Sequence, residues 1–517
     1  MRELFCRLRR MRLLTFRGLF CLFRSIWRTG VTPLTLLKFA AGLHPESTAL
    51  VDDRESVTYR DLLEQSENLA VVLQNRYGLR PGSKIALAVT NHAVAVRAIF
   101  ACSGLGLHVY LVNAETRPDQ LRALDAAFGF KFYIYEQPLA EYFSAAALAG
   151  KAIPCYQLNG VSVDELSREG RQDKQIVGRR YSGSIVVLTG GTTGVPKAAG
   201  RKPSILNFMP PFLALLTQLQ LDRYQRIFIG TPIFHGFGLA SLFLGVLHGA
   251  EVHLMQRFDA VQACQRIAAG RLELITVVPL MLQRLLKTQP DALGSLRCVI
   301  SGGAMLSPTL ARQCLDLHGP VLFNLYGTSE GGVAAIAGPS QLGLKPESIG
   351  REIRGVTVRI LDSADREVSD GGVGRLCVRS SWTVSRSSWI ETGDLCRRDS
   401  DGDLHLCGRV DDMIVSGGEN VYPIELERVL EQHPEVSAVA VVGVCDEEFG
   451  QRLRAFVVPS AGAALDCGRL LSWLKPRVAR HQMPSGVEFL GSLPVTEVGK
   501  VNKKALKGGS VCASEQL

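Results

Sequence analysis

Short β-branched runs alternate with longer amphipathic stretches along most of the chain. Ala49-Leu50-Val51-Asp52 and Val57-Thr58-Tyr59 read as a hairpin. Over 60–77, Leu62, Leu63, Leu69, Ala70, Val72 and Leu73 fall on or near one side at helical spacing. Pro81-Gly82 then turns the chain into a strand at Lys84–Val89, followed by a helix at 93–105 and a strand at 108–112. Arg117-Pro118-Asp119 reads as a helix start, since proline suits a first helical turn. Further strands are predicted at Phe132–Tyr135, 184–188, Arg226–Ile229, 251–255, 274–278, 298–300 and 321–325, with an apolar stretch over 239–247 broken by Gly245. Residues 137–180 carry no chemical signal. Strand and helix in alternation predict an α/β fold: a large multi-layer N-terminal domain with mostly parallel sheets. In such sheets ligands sit at the carboxyl ends of strands.

The pattern changes near Gly408-Arg409-Val410-Asp411-Asp412. Beyond it come a helix at 423–432, strands at 438–442 and 453–458, and a helix at 467–478. This predicts a small α+β C-terminal domain joined by a hinge. The expected division is 1–28, 29–408 and 409–517. The first 28 residues have helical periodicity, with Leu4, Leu8, Met11, Leu19, Leu22 and Ile26 on one side and most arginines on the other; Arg12 departs from this. A basic amphipathic helix of this kind suits an anionic membrane surface. An ordinary helix docked on the body and an Arg-rich organellar transit peptide are the alternatives.

Composition changes this picture little. The 517 residues are 46% hydrophobic and 21% charged, which gives no reason to expect disorder. No run approaches the roughly 20 apolar residues of a spanning helix. The thirteen cysteines are scattered and never spaced Cys-x-x-Cys, as in a reduced cytoplasmic protein. Cys396, His405 and Cys407 lack a second ligand pair at zinc spacing and read as incidental. Charge is uneven. Residues 1–28 hold eight Arg against Glu3, a local +7 of the total +9, so the rest of the chain is near +2. Such a body offers no nucleic-acid surface. A cytoplasmic protein, or one peripheral on a membrane, is the expectation.

The candidate chemistry lies at strand ends. Strand 184–188 runs into Thr189-Gly190-Gly191-Thr192-Thr193-Gly194-Val195-Pro196-Lys197. Glycines let backbone N–H groups face an anion, threonines add hydroxyl donors, and the lysine adds a mobile positive charge. The spacing is not that of a Walker-type loop. Further turns follow predicted strands at Phe234-His235-Gly236, at Ser301-Gly302-Gly303 and at Tyr326-Gly327-Thr328-Ser329-Glu330. Downstream lie Glu391-Thr392-Gly393-Asp394, the block from Gly408 to Glu427, and Leu493-Pro494-Val495-Thr496-Glu497-Val498-Gly499-Lys500.

Taken in this order, these blocks resemble the adenylate-forming (AMP-binding) superfamily, in its acyl-CoA synthetase branch. The resemblance implies activation of a carboxylic acid with ATP and Mg²⁺ to an acyl-adenylate, then transfer to CoA. It implies that Thr189 to Lys197 clamps phosphates, although Gly190 replaces the usual Ser and Ala198 the usual Gly. The first change removes one hydroxyl donor; Thr189, Thr192 and Thr193 remain. By the same resemblance Gly302, Tyr326, Gly327, Thr328 and Ser329 line the nucleotide, with Tyr326 stacking on adenine. Glu330 holds Mg²⁺, Asp394 and Arg409 bind the ribose, and Lys500 reaches the carboxylate and α-phosphate. Asp411 marks the hinge, and Gly417 and Gly418 line the CoA tunnel. His235 replaces the acid that grips an amino-acid substrate, and its apolar surroundings suit a medium- or long-chain fatty acid, with an aryl acid as the alternative. A separate acyl carrier protein is the rival acceptor. A degenerate nucleotide-binding scaffold is the rival outside catalysis.

Overall fold

The structure is a computed structural model that describes residues 2–145, 149–157, 160–169, 183–189, 197–201, 205–383, 388–416, 419–446, 449–496 and 499–509. The chain forms two compact units. The first comprises Met1–Val277, Arg284–Ile300 and Ser381–Arg386; the second comprises Val278–Gln283, Ser301–Ser380 and Ser387–Leu517.

In the first unit one sheet runs Ala152–Pro154, Phe132–Tyr135, Lys84–Val89, His108–Asn113, Ile185–Thr189, Lys197–Arg201. The first five strands are parallel, and the last returns antiparallel to its neighbour. All but the first residue of Lys84–Val89 are buried, as expected of a parallel strand covered on both faces. A second parallel set carries Leu274–Val277, Arg226–Ile229, Glu251–Leu254 and Thr48–Val51, and closes on Ser56–Thr58 in an antiparallel hairpin. The fully buried Arg97, in helix Ala93–Gly104, donates to Asp164 at 2.8 Å and Glu55 at 2.6 Å. Two carboxylates around one guanidinium are what make such a burial tolerable.

The N-terminal segment departs from one continuous helix. It forms two, Arg2–Arg10 and Phe16–Thr29. Arg12 adopts a left-handed φ of 59°, and Thr15 caps the second helix by accepting from the Gly18 N–H at 3.1 Å. The first helix is docked on the body. Arg7 is buried and donates to Asp222 at 2.7 Å, and Arg10 reaches the same carboxylate at 3.1 Å. Met11 is buried, and Leu4 and Leu8 are half-buried.

The second unit is antiparallel where strand–helix alternation stops. Its larger sheet runs Val356–Leu361, Val373–Ser380, Ile390–Arg398, Leu404–Arg409, Ser348–Glu352, Gly332–Ala337, Leu322–Thr328, and every neighbouring pair is antiparallel. A smaller sheet follows Arg409, with Glu419–Val421, Ile414–Ser416, Gly450–Pro459 and Val436–Asp446 antiparallel, and Gly486–Phe489 parallel to Gly450–Pro459. Alternation assigns its two faces. Val439 and Val441 pack on Leu426, Leu430, Leu470 and Leu474 of helices Pro423–Leu430 and Cys467–Leu474. Ala440 and Val442 pack on Leu506 of helix Lys503–Gly509. The expected small α+β arrangement is therefore present.

Candidate active site

The site is built around one carboxylate. Asp394 lies in strand Ile390–Arg398 and pairs in register with Arg409. Arg409 Nη1 donates to Asp394 Oδ1 at 3.0 Å and to the Thr392 carbonyl at 3.2 Å. Gly393 makes this possible. Its φ is +78°, and a Cβ there would stand 2.8 Å from Arg409 Nη2. The Tyr326 hydroxyl donates to Asp394 Oδ2 at 2.6 Å.

This second contact is a long-range one. Four strand-to-strand steps separate Tyr326 from Asp394 in the sheet order. In a flat sheet, steps of about 4.8 Å would hold the two strands roughly 19 Å apart. The sheet must curl to bring them into contact. Register shifts between Tyr326 and Gly327, between Ser348 and Gly350, and between Leu395 and Cys396 lie along that path. Tyr326 is buried against Ala334, Ala335 and Ile349. Desolvation first, and the Asp394 charge second, push its phenol far above the ordinary range, so it stays a donor. A carboxylate offers about four acceptor positions. Tyr326 and Arg409 use two of Asp394's, which leaves room for a vicinal diol.

Beyond Tyr326, strand Leu322–Thr328 turns into Gly332–Ala337. Thr328 Oγ1 accepts from the Gly331 N–H at 2.8 Å and shapes this turn, which carries half-buried Ser329 and Glu330. Hydroxyl and carboxylate oxygens here are a donor set suited to a hard cation. Gly302 ends strand Cys298–Gly302 and is buried.

Lys500 sits on a short turn. The Thr496 N–H donates to the Lys500 carbonyl at 2.6 Å, and the Lys500 N–H donates to Thr496 Oγ1 at 3.2 Å. Gly499, at φ +75°, closes the turn. Lys503 binds Glu427 at 2.8 Å, and Lys507 faces Asp412 at 3.9 Å. Lys500 instead lies in the field of Asp394 and Arg409. Its side chain is exposed to solvent, yet enough protein surrounds the ammonium to lower its pKa by desolvation; Asp394 opposes this and Arg409 adds to it. Asp411 accepts from Arg409 Nε at 3.1 Å in the turn between Leu404–Arg409 and Ile414–Ser416.

In the first unit, Thr189 and Lys197 face each other across the antiparallel pair of strands Ile185–Thr189 and Lys197–Arg201. The loop between them, Gly190, Gly191, Thr192, Thr193 and Gly194 included, lies outside the described residues, as do Gly417 and Gly418. His235 is half-buried at the N-cap of helix Gly236–His248, its ring 4.6 Å from that of Phe234.

Residues 37–387 match the AMP-binding enzyme family, and residues 425–500 match the AMP-binding enzyme C-terminal domain. The chain belongs to this family, the adenylate-forming superfamily. It is similar to the indoleacetate–CoA ligase of Aromatoleum aromaticum, 31% identical over 492 residues, covering 90% of this chain and 95% of that protein. It is also similar to a medium/long-chain-fatty-acid–CoA ligase of Mycobacterium tuberculosis, 33% identical over 365 residues, 64% of this chain and 61% of that protein. Among solved structures it resembles the o-succinylbenzoate CoA synthetase of Bacillus subtilis in complex with its acyl-adenylate intermediate. The TM-score is 0.79 at 26% identity, covering 91% of this chain and 97% of that one.

In this AMP-binding enzyme two features escaped the sequence reading. The ring of Tyr326 was expected to stack on adenine, and its hydroxyl donates to Asp394 and orients that carboxylate. The buried Asn91 holds the loop before His235: its Nδ2 donates to the Thr231 carbonyl at 3.0 Å, and its Oδ1 accepts from the Ile233 N–H at 2.7 Å. No local signal marks Asn91, because its partners lie about 140 residues away.

Two outcomes are expected. Tyr326→Phe removes one donor to a carboxylate, a loss of about 1.5 kcal/mol. AMP binding measured by titration calorimetry should weaken about tenfold, with circular dichroism unchanged. The second concerns pH. A lowered Lys500 pKa means that its charge is lost on the alkaline side earlier than the ordinary lysine value of about 10.4. Adenylate formation should therefore decline as pH rises, with the midpoint of that alkaline limb below the ordinary lysine value, and Lys500→Arg should move the limb upward, because arginine stays charged.

Proposed function

We propose that this enzyme activates an apolar carboxylic acid, an aryl acid in first place, as its acyl-adenylate and passes the acyl group to CoA. At the coarser level it is an AMP-forming acid–thiol ligase that uses ATP, Mg²⁺ and CoA. The scaffold reading is set aside, because the family is enzymatic. The observation that carries the proposal is the meeting of Tyr326 and Arg409 on the Asp394 carboxylate, in whose electrostatic field Lys500 lies.

Each group has a task. Asp394 accepts from the ribose hydroxyls while Tyr326 and Arg409 hold its oxygens in place. Lys500 brings a positive charge to the carboxylate and α-phosphate, where negative charge shifts as pyrophosphate leaves. Glu330, beside the Thr328 and Ser329 hydroxyls, would hold Mg²⁺. Bound there, the metal draws charge from phosphate oxygens. Thr189, Lys197 and the loop between them take the outer phosphates.

Two substrate classes have support. Relatives that act on indoleacetate and o-succinylbenzoate span nearly the whole chain, which favours an aryl acid. The mycobacterial relative keeps a medium- or long-chain fatty acid as the second reading. In the sequence His235 is flanked by Phe234, Phe237, Leu239, Leu242 and Phe243, and no acid stands at its position to hold an amine. A carrier protein is the alternative acceptor. Residues 1–28 are the proposed contact with an anionic membrane surface.

Carboxylate-dependent pyrophosphate exchange across a panel of aryl and aliphatic acids tests the first half-reaction. Exchange should be strongest with aryl acids, and no exchange with any acid in folded protein would count against the proposal. CoA and an acyl carrier protein supplied in parallel separate the two acceptors.

The second half-reaction asks more of the segment after Arg409. Lys500 must serve adenylation, and Gly417 and Gly418 must line the thiol's path later. We propose that residues 409–517 turn about Asp411 between the steps. Lys500→Ala should block adenylate formation yet still convert supplied acyl-adenylate to thioester. Asp411→Pro, which fixes φ near about −65°, should spare adenylation and lower thioester formation. Loss of the same half-reaction in both variants would show that the segment does not alternate.

A further inference from the structure

Helix Phe16–Thr29 presents three faces. Gly18 and Ser25 are buried, Gly18 against the Arg12 carbonyl and Thr15. On that side Thr29 Oγ1 lies 3.1 Å from Thr35 Oγ1 of helix Pro33–Leu43, and from the flank Arg17 Nη2 reaches over to donate to the Gly42 carbonyl at 3.3 Å. The opposite side carries Phe16, Phe20, Phe23 and Trp27, spaced four, three and four residues apart, with Leu19 beside them. Their exposures run from 50% at Leu19 to 93% at Phe16. Arg17, Arg24 and Arg28 are exposed along one flank.

Side chains of this size and exposure present roughly 600 Å² of apolar surface, at the upper end of the largest patch on an ordinary soluble monomer. A patch of this size beside a row of arginines marks an interaction surface. We infer that this aromatic face of helix Phe16–Thr29 inserts into the interface of an anionic bilayer, with Arg17, Arg24 and Arg28 at headgroup level. This rests on the membrane reading of residues 1–28 and changes which face does the work. Most of the apolar side expected from periodicity is turned toward the body instead. Met11 is buried, and Leu4, Leu8, Leu22 and Ile26 are half-buried.

Charge decides between occupants. A second copy of the chain seated on this face would bring its own Arg17, Arg24 and Arg28 against the first set. Lipid phosphates supply acceptors of opposite sign, to which guanidinium binds in bidentate fashion. Trp27 among phenylalanines suits the boundary between headgroups and acyl chains. No described helix is long and apolar enough to cross a membrane, so the helix lies in the surface plane. Because its inner face is packed on the body, the helix does not dangle as a free anchor. It acts as a fixed mount that orients the first unit on the bilayer.

The test uses the full chain. It compares vesicles of phosphatidylcholine alone with vesicles containing phosphatidylglycerol. Wild-type protein should co-sediment with the anionic vesicles at least tenfold more than with the neutral ones. Phe16→Ser/Phe20→Ser/Phe23→Ser/Trp27→Ser should lose at least tenfold of this binding with unchanged circular dichroism. Arg17→Gln/Arg24→Gln/Arg28→Gln should lose the preference for anionic lipid. Brominated lipid should quench wild-type fluorescence more than that of Trp27→Phe. If wild type binds anionic vesicles and the aromatic variant binds equally well, the membrane reading survives and this face is the wrong one. If wild type binds neither vesicle, the membrane reading itself fails. A wild-type dimer in sedimentation velocity that the aromatic variant dissociates, without vesicle binding, would make the occupant a second copy.

Discussion

Asp394 is held from two directions, and both contacts come from the geometry of the second unit. Arg409 is its register partner on the adjacent strand, so that contact comes with the ladder itself. Tyr326 arrives from four strands away, and the 2.6 Å hydrogen bond exists because the antiparallel sheet curls and bulges. A buried phenol without an acceptor would lose about as much as the sheet gains from one good packing contact. The link between Tyr326 and Asp394 therefore works both ways. It satisfies the hydroxyl, and it pins the carboxylate proposed to face the nucleotide. Gly393 is the small backbone concession that lets the Arg409 guanidinium lie close enough to share the task.

The same electrostatics sorts the lysines near the C-terminus. Lys503 and Lys507 are drawn to Glu427 and Asp412, and help seat helix Lys503–Gly509 on the smaller sheet. Lys500 is placed differently by its turn. Its ammonium experiences desolvation and the opposed fields of Asp394 and Arg409, so its charge is the more easily given up. A lysine poised in this way responds to added phosphate and carboxylate charge, which would stabilise the charged form when substrate arrives.

The N-terminal helices show how one segment divides its surface. The buried ion pair between Arg7 and Asp222 anchors the first helix, and the Thr15 cap starts the second in a new direction. The second helix carries two apolar sets, Leu22 and Ile26 on one side and Phe16, Phe20, Phe23 and Trp27 on the other. One set is used for docking on the body, and the other is left facing out.

Much of the fold was legible in the chain itself. Strands such as Lys84–Val89, Phe132–Tyr135 and Arg226–Ile229 stand where buried β-branched runs predict them, because a strand covered on both faces needs an unbroken apolar run. The turn motifs were legible too, since Gly393 and Gly499 adopt backbone angles that other residues rarely reach. Lys500 was distinguished from its neighbours by the frame around it. What periodicity could not supply were relations between distant positions. The Tyr326–Asp394 bond depends on the curl of a seven-strand antiparallel run, and the Asn91 clamp on Thr231 and Ile233 joins loops far apart in the chain. The outward face of Phe16–Thr29 depends on which side the body claims first. A sequence pattern records which residues are apolar and how they repeat; only the packed structure decides which of them find a partner.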